Sequence, residues 1–239
     1  MPGLGTIINI AGILLGGVLG LCFGKLLKER HQQTLTRVCG VSTLFIGIGG
    51  ALEGMLSVNG DGVVSGSGMM IVICLSLGAL IGELLNIEDG FERFGQWLKL
   101  KTGNARDKLF VDGFVTASLT VCIGAMAIVG AVEDGLHGNY TILAAKSMID
   151  FVLILVMASS MGKGAMFSAI PVGIFQGSVT LLARLVEPVL TTAALNNLSL
   201  VGSALIFCVG LNLLWKNMIR VANLLPALLV AVVYALLGF

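Results

Sequence analysis

The sequence predicts an all-α, polytopic transmembrane helix bundle, and three of its features carry that prediction. Hydrophobic residues make up 56% of the 239 and charged residues only 11%, against about 25% charged in an ordinary soluble domain; the mean hydropathy is +1.01. Apolar windows close to the roughly 20 residues that cross a bilayer recur along the chain, near residues 4–26, 37–57, 68–86, 110–130, 141–160, 164–184, 197–214 and 221–238. Positive charge falls only in alternate connections between those windows. Residues 1–239 therefore read as a single integral membrane domain of about eight spans.

Twelve of the fourteen Lys and Arg residues lie in odd-to-even connections: Lys25, Lys28, Arg30 and Arg37, then Arg93, Lys99, Lys101, Arg106 and Lys108, then Lys163, then Lys216 and Arg220. Short cytoplasmic loops concentrate basic residues, so these connections are expected inside and both termini outside. The remaining connections carry Asp61, Glu133, Asp134 and Glu187. A missed or invented span would scramble this alternation, which supports the count.

The first span begins by about Leu4 without a basic leader and is expected to be retained, not cleaved as a signal peptide. It places Gly12, Gly16, Gly20 and Gly24 four residues apart, with Gly17 beside them. Such a strip lets another helix backbone approach closely, within the protein or in a homo-oligomer of copies. The glycine- and serine-rich stretch 58–68 reads as a mobile outer connection. Between spans three and four, Phe91, Phe94, Trp97 and Leu98 share one face while Arg93, Lys99 and Lys101 stay off it. That pattern predicts a short amphipathic helix on the cytoplasmic side, lying in the headgroup layer. Gly50-Ala51-Leu52-Glu53 and Gly130-Ala131-Val132-Glu133 echo each other at the ends of spans two and four, a faint sign of duplicated architecture.

Span five carries the one place where both signs of charge enter the membrane. Lys146 and Asp150 are one helical turn apart and share a face. From a start near Thr141, Asp150 lies about 14 Å deep at 1.5 Å per residue, close to the midplane. An isolated charge there costs at least ~2.5 to 3.5 kcal/mol, so the two groups pair, water reaches them, or Asp150 is protonated. Two readings stand: a self-neutralising pair that fixes helix packing, or part of a solute or ion path. In span six, Ser168, Pro171 and Gln176 follow the Gly162-Lys163-Gly164 turn. Pro171 cannot donate to Phe167, so a kink or break is expected there, freeing carbonyls that a membrane requires to be satisfied. Glu53, Glu133 and Asp134 would form an outer acidic vestibule for a cation if spans two and four are neighbours.

Catalysis and cofactors find no footing. His31 and His137 sit in connections on opposite sides, and no zinc motif, nucleophile elbow or P-loop is present. The five cysteines fall in different apolar runs without CxxC spacing, which reads as small buried hydrophobes and neither a disulfide frame nor a metal site. No basic patch suggests a nucleic-acid partner. The expectation is a non-enzyme without cofactor whose surroundings are the lipid bilayer.

Gly5-Thr6 with Asn9, then Cys122, Gly124 and Met126, Asp134-Gly135, Lys146 and Asp150, Gly162, Gly164, Ser168, Pro171 and Gln176-Gly177, and finally Gly210, Asn212 and Asn223-Leu224-Leu225-Pro226 together resemble the YqgA/YdfK-like family of bacterial inner-membrane proteins. The resemblance covers nearly the whole chain. It implies a multi-pass inner-membrane location and transport as the expected class, and it transfers no catalytic roles. The sequence leads to a secondary transporter or exporter of a small polar solute or ion, coupled to a proton or cation through Lys146 and Asp150. Ser168, Gln176 and the backbone near Pro171 would contact the solute. A non-transporting scaffold or a passive channel are the alternatives.

Overall fold

The computed structural model describes residues 2–59, 62–215 and 218–238, and no side-chain placement for Val58 and Asn59. Asp61 and Lys216, which entered the charge pattern, lie outside the described residues. Among the described residues the chain is an all-α bundle with one small hairpin. Its helices are α1 (Leu4–Leu26), α2 (Glu29–Met55), α3 (Gly68–Leu85), α4 (Ile87–Lys101), α5 (Phe110–Cys122), α6 (Ala125–His137), α7 (Thr141–Met161), α8 (Ala169–Leu181), α9 (Ala183–Val186), α10 (Thr192–Leu214) and α11 (Pro226–Leu236). Short 3-10 segments, Lys163–Ser168 and Val221–Leu224, lead into α8 and α11.

Among the described residues, six helical stretches are long and apolar enough to cross a membrane: α1, α2, α3, α7, α10 and the run Lys163–Leu181. The fourth expected window departs from a simple span, because α5 and α6 meet at a bend of 63°. The eighth window is a shorter apolar helix, Val221–Leu236. The expected mobile loop after span two is instead an antiparallel hairpin, β1 (Leu56–Asn59) with β2 (Gly62–Ser65), pairing Leu56 with Ser65 and Ser57 with Val64. The β-branched Val58, Val63 and Val64 flanking Asn59-Gly60-Asp61-Gly62 are a hairpin signal that the glycine and serine content obscures.

Glycine faces set the packing. The α1 strip meets α7 in a parallel, constant register: Gly12 lies on Ser147, Gly16 on Phe151, Gly20 on Leu155 and Gly24 on Ser159. A β-carbon at Gly24 would stand 2.8 Å from the Ser159 carbonyl. Ser147 adds a cross-link by donating its hydroxyl to the Ile8 carbonyl at 3.0 Å. The strip is therefore used internally. Antiparallel pairs follow the same logic, α2 against α10 through Gly47 on Phe207 and Gly50 on Ser203, and α3 against α11 and the 3-10 segment before it through Gly78 on Ala227 and Gly82 on Asn223. Close backbone approach maximises dispersion contacts, which drive helix association where lipid removes the hydrophobic difference.

The core holds Ile13, Ala117, Val121, Ile154, Met157, Val172, Val201 and Leu205, all buried. The outward faces are as apolar as the core: Phe45 is 72% exposed, Leu84 86% and Leu181 87%. Such large exposed side chains in every long helix fit lipid as the surrounding solvent. The expected short helix is α4, which buries Gly95 and Leu98 against α5, with Phe94 stacked on Trp97 at a centroid separation of 5.7 Å. Of the echo between the second and fourth windows, Gly50–Glu53 lies in the last turns of α2 and Gly130–Glu133 inside α6. The Ile-Gly pairs that precede them differ, since Ile46-Gly47 lies inside α2 whereas Ile123-Gly124 is the α5–α6 bend.

Candidate functional site

The site is built around the interruption of the fourth window. Helix α5 ends at Cys122, Ile123 turns extended, and Gly124 adopts φ 143° and ψ 143°, a backbone conformation that favours glycine. The last carbonyls of α5 consequently lose their helical partners. Lys146, from α7, donates its ammonium to one of them, the Val121 carbonyl, at 2.8 Å. The same ammonium pairs with the Asp150 carboxylate one turn along α7. A cation at the C-terminal end of a helix is favoured by the helix dipole, so Lys146 satisfies a broken backbone and a buried carboxylate together.

Asn9 from α1 lies beside Asp150. Its amide donates to the Gln176 side-chain oxygen of α8 at 3.2 Å. Lys146, Asp150, Asn9 and Gln176 are all buried, and so form one sealed constellation drawn from α1, α7 and α8 at the α5–α6 break.

The other expected path residues take different places. Ser168 is buried, but its hydroxyl donates to the Ala165 carbonyl at 2.7 Å within the 3-10 segment. It lies eight residues before Gln176, about 12 Å along a helix axis. Pro171 falls in the first turn of α8, where a missing N–H leaves nothing unsatisfied. The run Lys163–Leu181 changes from 3-10 to α-helix within two residues of Pro171. A sharper discontinuity lies at Ile123-Gly124, signalled by a flexible residue and not by a proline.

The three outer carboxylates do not share a vestibule. Glu53 is exposed at the end of α2, which packs on α10 and α7. Glu133 faces His137 at 3.3 Å on an exposed turn. Asp134, one residue on, points inward, is fully buried, and accepts the Gly5 main-chain N–H at 2.9 Å. Consecutive residues of a helix are about 100° apart, which separates the two.

Sequence reasoning missed Thr6 and Thr180. Five buried side-chain atoms among the described residues lack a hydrogen-bond partner: Thr6 Oγ1, Asn9 Oδ1, Asp134 Oδ1, Gln176 Nε2 and Thr180 Oγ1. All belong to the mutually packed helices α1, α6 and α8. Thr6 with Asn9 and Gln176 with Thr180 stand three and four residues apart, so each pair shares a helix face. That spacing was the available signal.

At the opposite end of the bundle, a cavity of about 80 Å³ is bordered by Thr36, Glu88, Glu92, Asp112, Thr116 and Asn212. The Glu88 carboxylate accepts the Ala222 N–H, and the Glu88 N–H donates to the Asn223 side chain, each at 2.8 Å. Burial pushes the Glu88 carboxyl above the usual carboxylate range, opposed by the Ala222 hydrogen bond. Among the described residues, no three His, Cys, Asp or Glu side chains gather as a metal site.

The chain is similar to the "Uncharacterized membrane protein YdfK" of Bacillus subtilis (strain 168), 32% identical over 226 residues, covering 95% of this chain and 93% of that one. It is similar to the same degree, 32% over 232 residues, to the "Uncharacterized protein YqgA" of Escherichia coli (strain K12), covering 95% and 94% of the two chains. No solved structure matches. Residues 4–236 match the family described as "Protein of unknown function (DUF554)", and the chain belongs to that family.

Proposed function

We propose that this protein is a multi-pass protein of the bacterial inner membrane that moves a small polar solute or ion as a secondary transporter. In this reading α5 with α6 makes one crossing and Val221–Leu236 another, which gives eight spans with both termini outside and α4 on the cytoplasmic surface. The observation that carries the proposal is the Lys146 ammonium shared between Asp150 and the Val121 carbonyl at the break. Discontinuous helices beside paired charges recur in transporter sites because freed backbone groups and side-chain charges can exchange partners there. The unpartnered Asn9 Oδ1 and Gln176 Nε2 supply an acceptor and a donor beside the pair for a polar solute.

A proton or cation arriving at Asp150 would weaken its hold on Lys146. The ammonium would then leave the Val121 carbonyl, and the α5–α6 bend would be free to change angle. Ser168 and Pro171 contribute the rigid base of α8 in this scheme and not solute contacts. A site sealed on all sides corresponds to an occluded state. The scaffold alternative drew on the Gly12–Gly24 face, and α7 occupies that face.

The test is flux in reconstituted vesicles across a broad panel of small solutes and ions, comparing the native chain with Asp150→Asn and Lys146→Met. Loss of flux in both variants, with monodisperse folded protein, is expected. Unchanged uptake and efflux in both would reject the proposal, and single-channel currents would move the protein to the channel class.

A further inference from the structure

The outer layer of the α1–α6–α8 junction has the chemistry of a cation site separate from the Lys146–Asp150 pair. Asp134 is a fully buried carboxylate with which no cationic side chain pairs among the described residues; its Oδ2 takes the Gly5 N–H, while Oδ1 has no partner there. Thr6 and Thr180 are each more than nine-tenths buried, and both hydroxyl oxygens are unpartnered. A hydroxyl inside a helix ordinarily bonds the carbonyl three or four residues back, as Thr43, Ser118 and Ser203 do here. Thr6 and Thr180 do not.

The helix register brings the three residues to one level. Helices α1 and α8 run antiparallel, with Ile10 against Gly173 and Asn9 bonded to Gln176. One turn outward from that bond, α1 presents Thr6 and α8 presents Thr180. Asp134 reaches α1 at Gly5, beside Thr6, and the next residue, Gly135, rests on the Thr180 backbone. Three buried oxygens without partners, from three packed helices, thus fall at one level of this junction. Buried polar groups are nearly always satisfied, so a shared deficit of this kind points to a guest.

We infer that Asp134, Thr6 and Thr180 bind a monovalent alkali cation at this junction. The donors are all hard oxygens, which suits alkali ions over transition metals. A single carboxylate balances a single positive charge, whereas divalent calcium sites gather several anionic or carbonyl oxygens. The inference stands apart from the transport proposal, since a cation can bind without any flux.

Equilibrium binding of radioactive sodium to the purified full chain in nanodiscs tests it, with unlabelled lithium, sodium, potassium and choline chlorides as competitors. Saturable binding displaced by at least one alkali ion and not by choline is expected. Asp134→Asn keeps an oxygen for the Gly5 N–H and removes the charge; it should weaken binding by about tenfold or more, the scale of one charge-assisted contact. Thr6→Val and Thr180→Val should each weaken it several-fold, and Glu53→Gln, on the exposed end of α2, should leave it intact. No saturable binding to the native chain overturns the inference. So does binding abolished by Asp150→Asn yet retained in Asp134→Asn, which would place the ion at the Lys146 pair. Should Asp134→Asn not purify folded, native affinity in both threonine variants overturns it alone.

Discussion

The Lys146 ammonium caps the Val121 carbonyl at 2.8 Å, tying α7 to the end of α5 where the fourth apolar window breaks. The same group neutralises Asp150, so one side chain carries two obligations in a buried environment. Removing one partner of a buried pair leaves an uncompensated charge, which is far more costly than losing both.

Lys146→Met is therefore expected to destabilise the protein by about 3–5 kcal/mol, the range for breaking a buried ion pair. Lys146→Met combined with Asp150→Asn should recover most of that loss, because no uncompensated buried charge then remains. Denaturant unfolding in mixed micelles measures both. A double variant as unstable as the single one would show that the ammonium acts chiefly on the backbone break.

The α1–α7 contact makes a sharper distinction among glycines. A β-carbon at Gly16 would collide with the Phe151 carbonyl, whereas one at Gly49 on α2 meets nothing within 4 Å. Gly16→Ala should cost about 1–3 kcal/mol through overpacking. Gly49→Ala should stabilise its helix by about 0.5–1 kcal/mol, since glycine is entropically unfavourable in helix interiors. Equal effects at the two positions would contradict the register.

Glu88 predicts a pH dependence at the α3–α4 end. Desolvation raises its folded-state carboxyl above the ordinary value of 4.5; the Ala222 N–H and Arg220 lower it, and Glu92 and Glu83 add to the rise. Between 4.5 and the raised value the folded protein holds more protons than the unfolded chain, so stability falls as pH increases through that window. Thermal unfolding of the solubilised protein should show this slope, and Glu88→Gln should flatten it.

Much of this architecture was legible because lipid imposes simple rules. Long apolar windows had to be helices, and the Gly12, Gly16, Gly20 and Gly24 spacing had to be a close contact. Lys146 and Asp150 had to meet because an i, i+4 spacing fixes their face. What escaped was tertiary in origin. Pro171 looked like a breaker, but a proline disrupts a helix only after the first turn, and the start of α8 depends on where the 3-10 segment ends. Gly124 looked like one glycine among 33. The inward aim of Asp134, with Glu133 turned outward, depended on which side of α6 meets α1, and no local pattern records that.

Gly124 allows the break itself to be tested. Its φ of 143° is one that side-chain-bearing residues rarely adopt, and a β-carbon there meets nothing within 4 Å. Any effect of Gly124→Ala thus comes from the backbone and not from a clash. Holding a residue in such a region costs about 1–3 kcal/mol, and that loss should appear in unfolding measurements of Gly124→Ala. The strain also has an escape, because relaxing φ would change the angle between α5 and α6 and carry the Val121 carbonyl away from Lys146. A variant that stays folded while losing flux would tie transport to the bend angle. A variant with native stability and native flux would show that the chain does not require this conformation at Gly124, and the Lys146 cap would then be a packing contact alone.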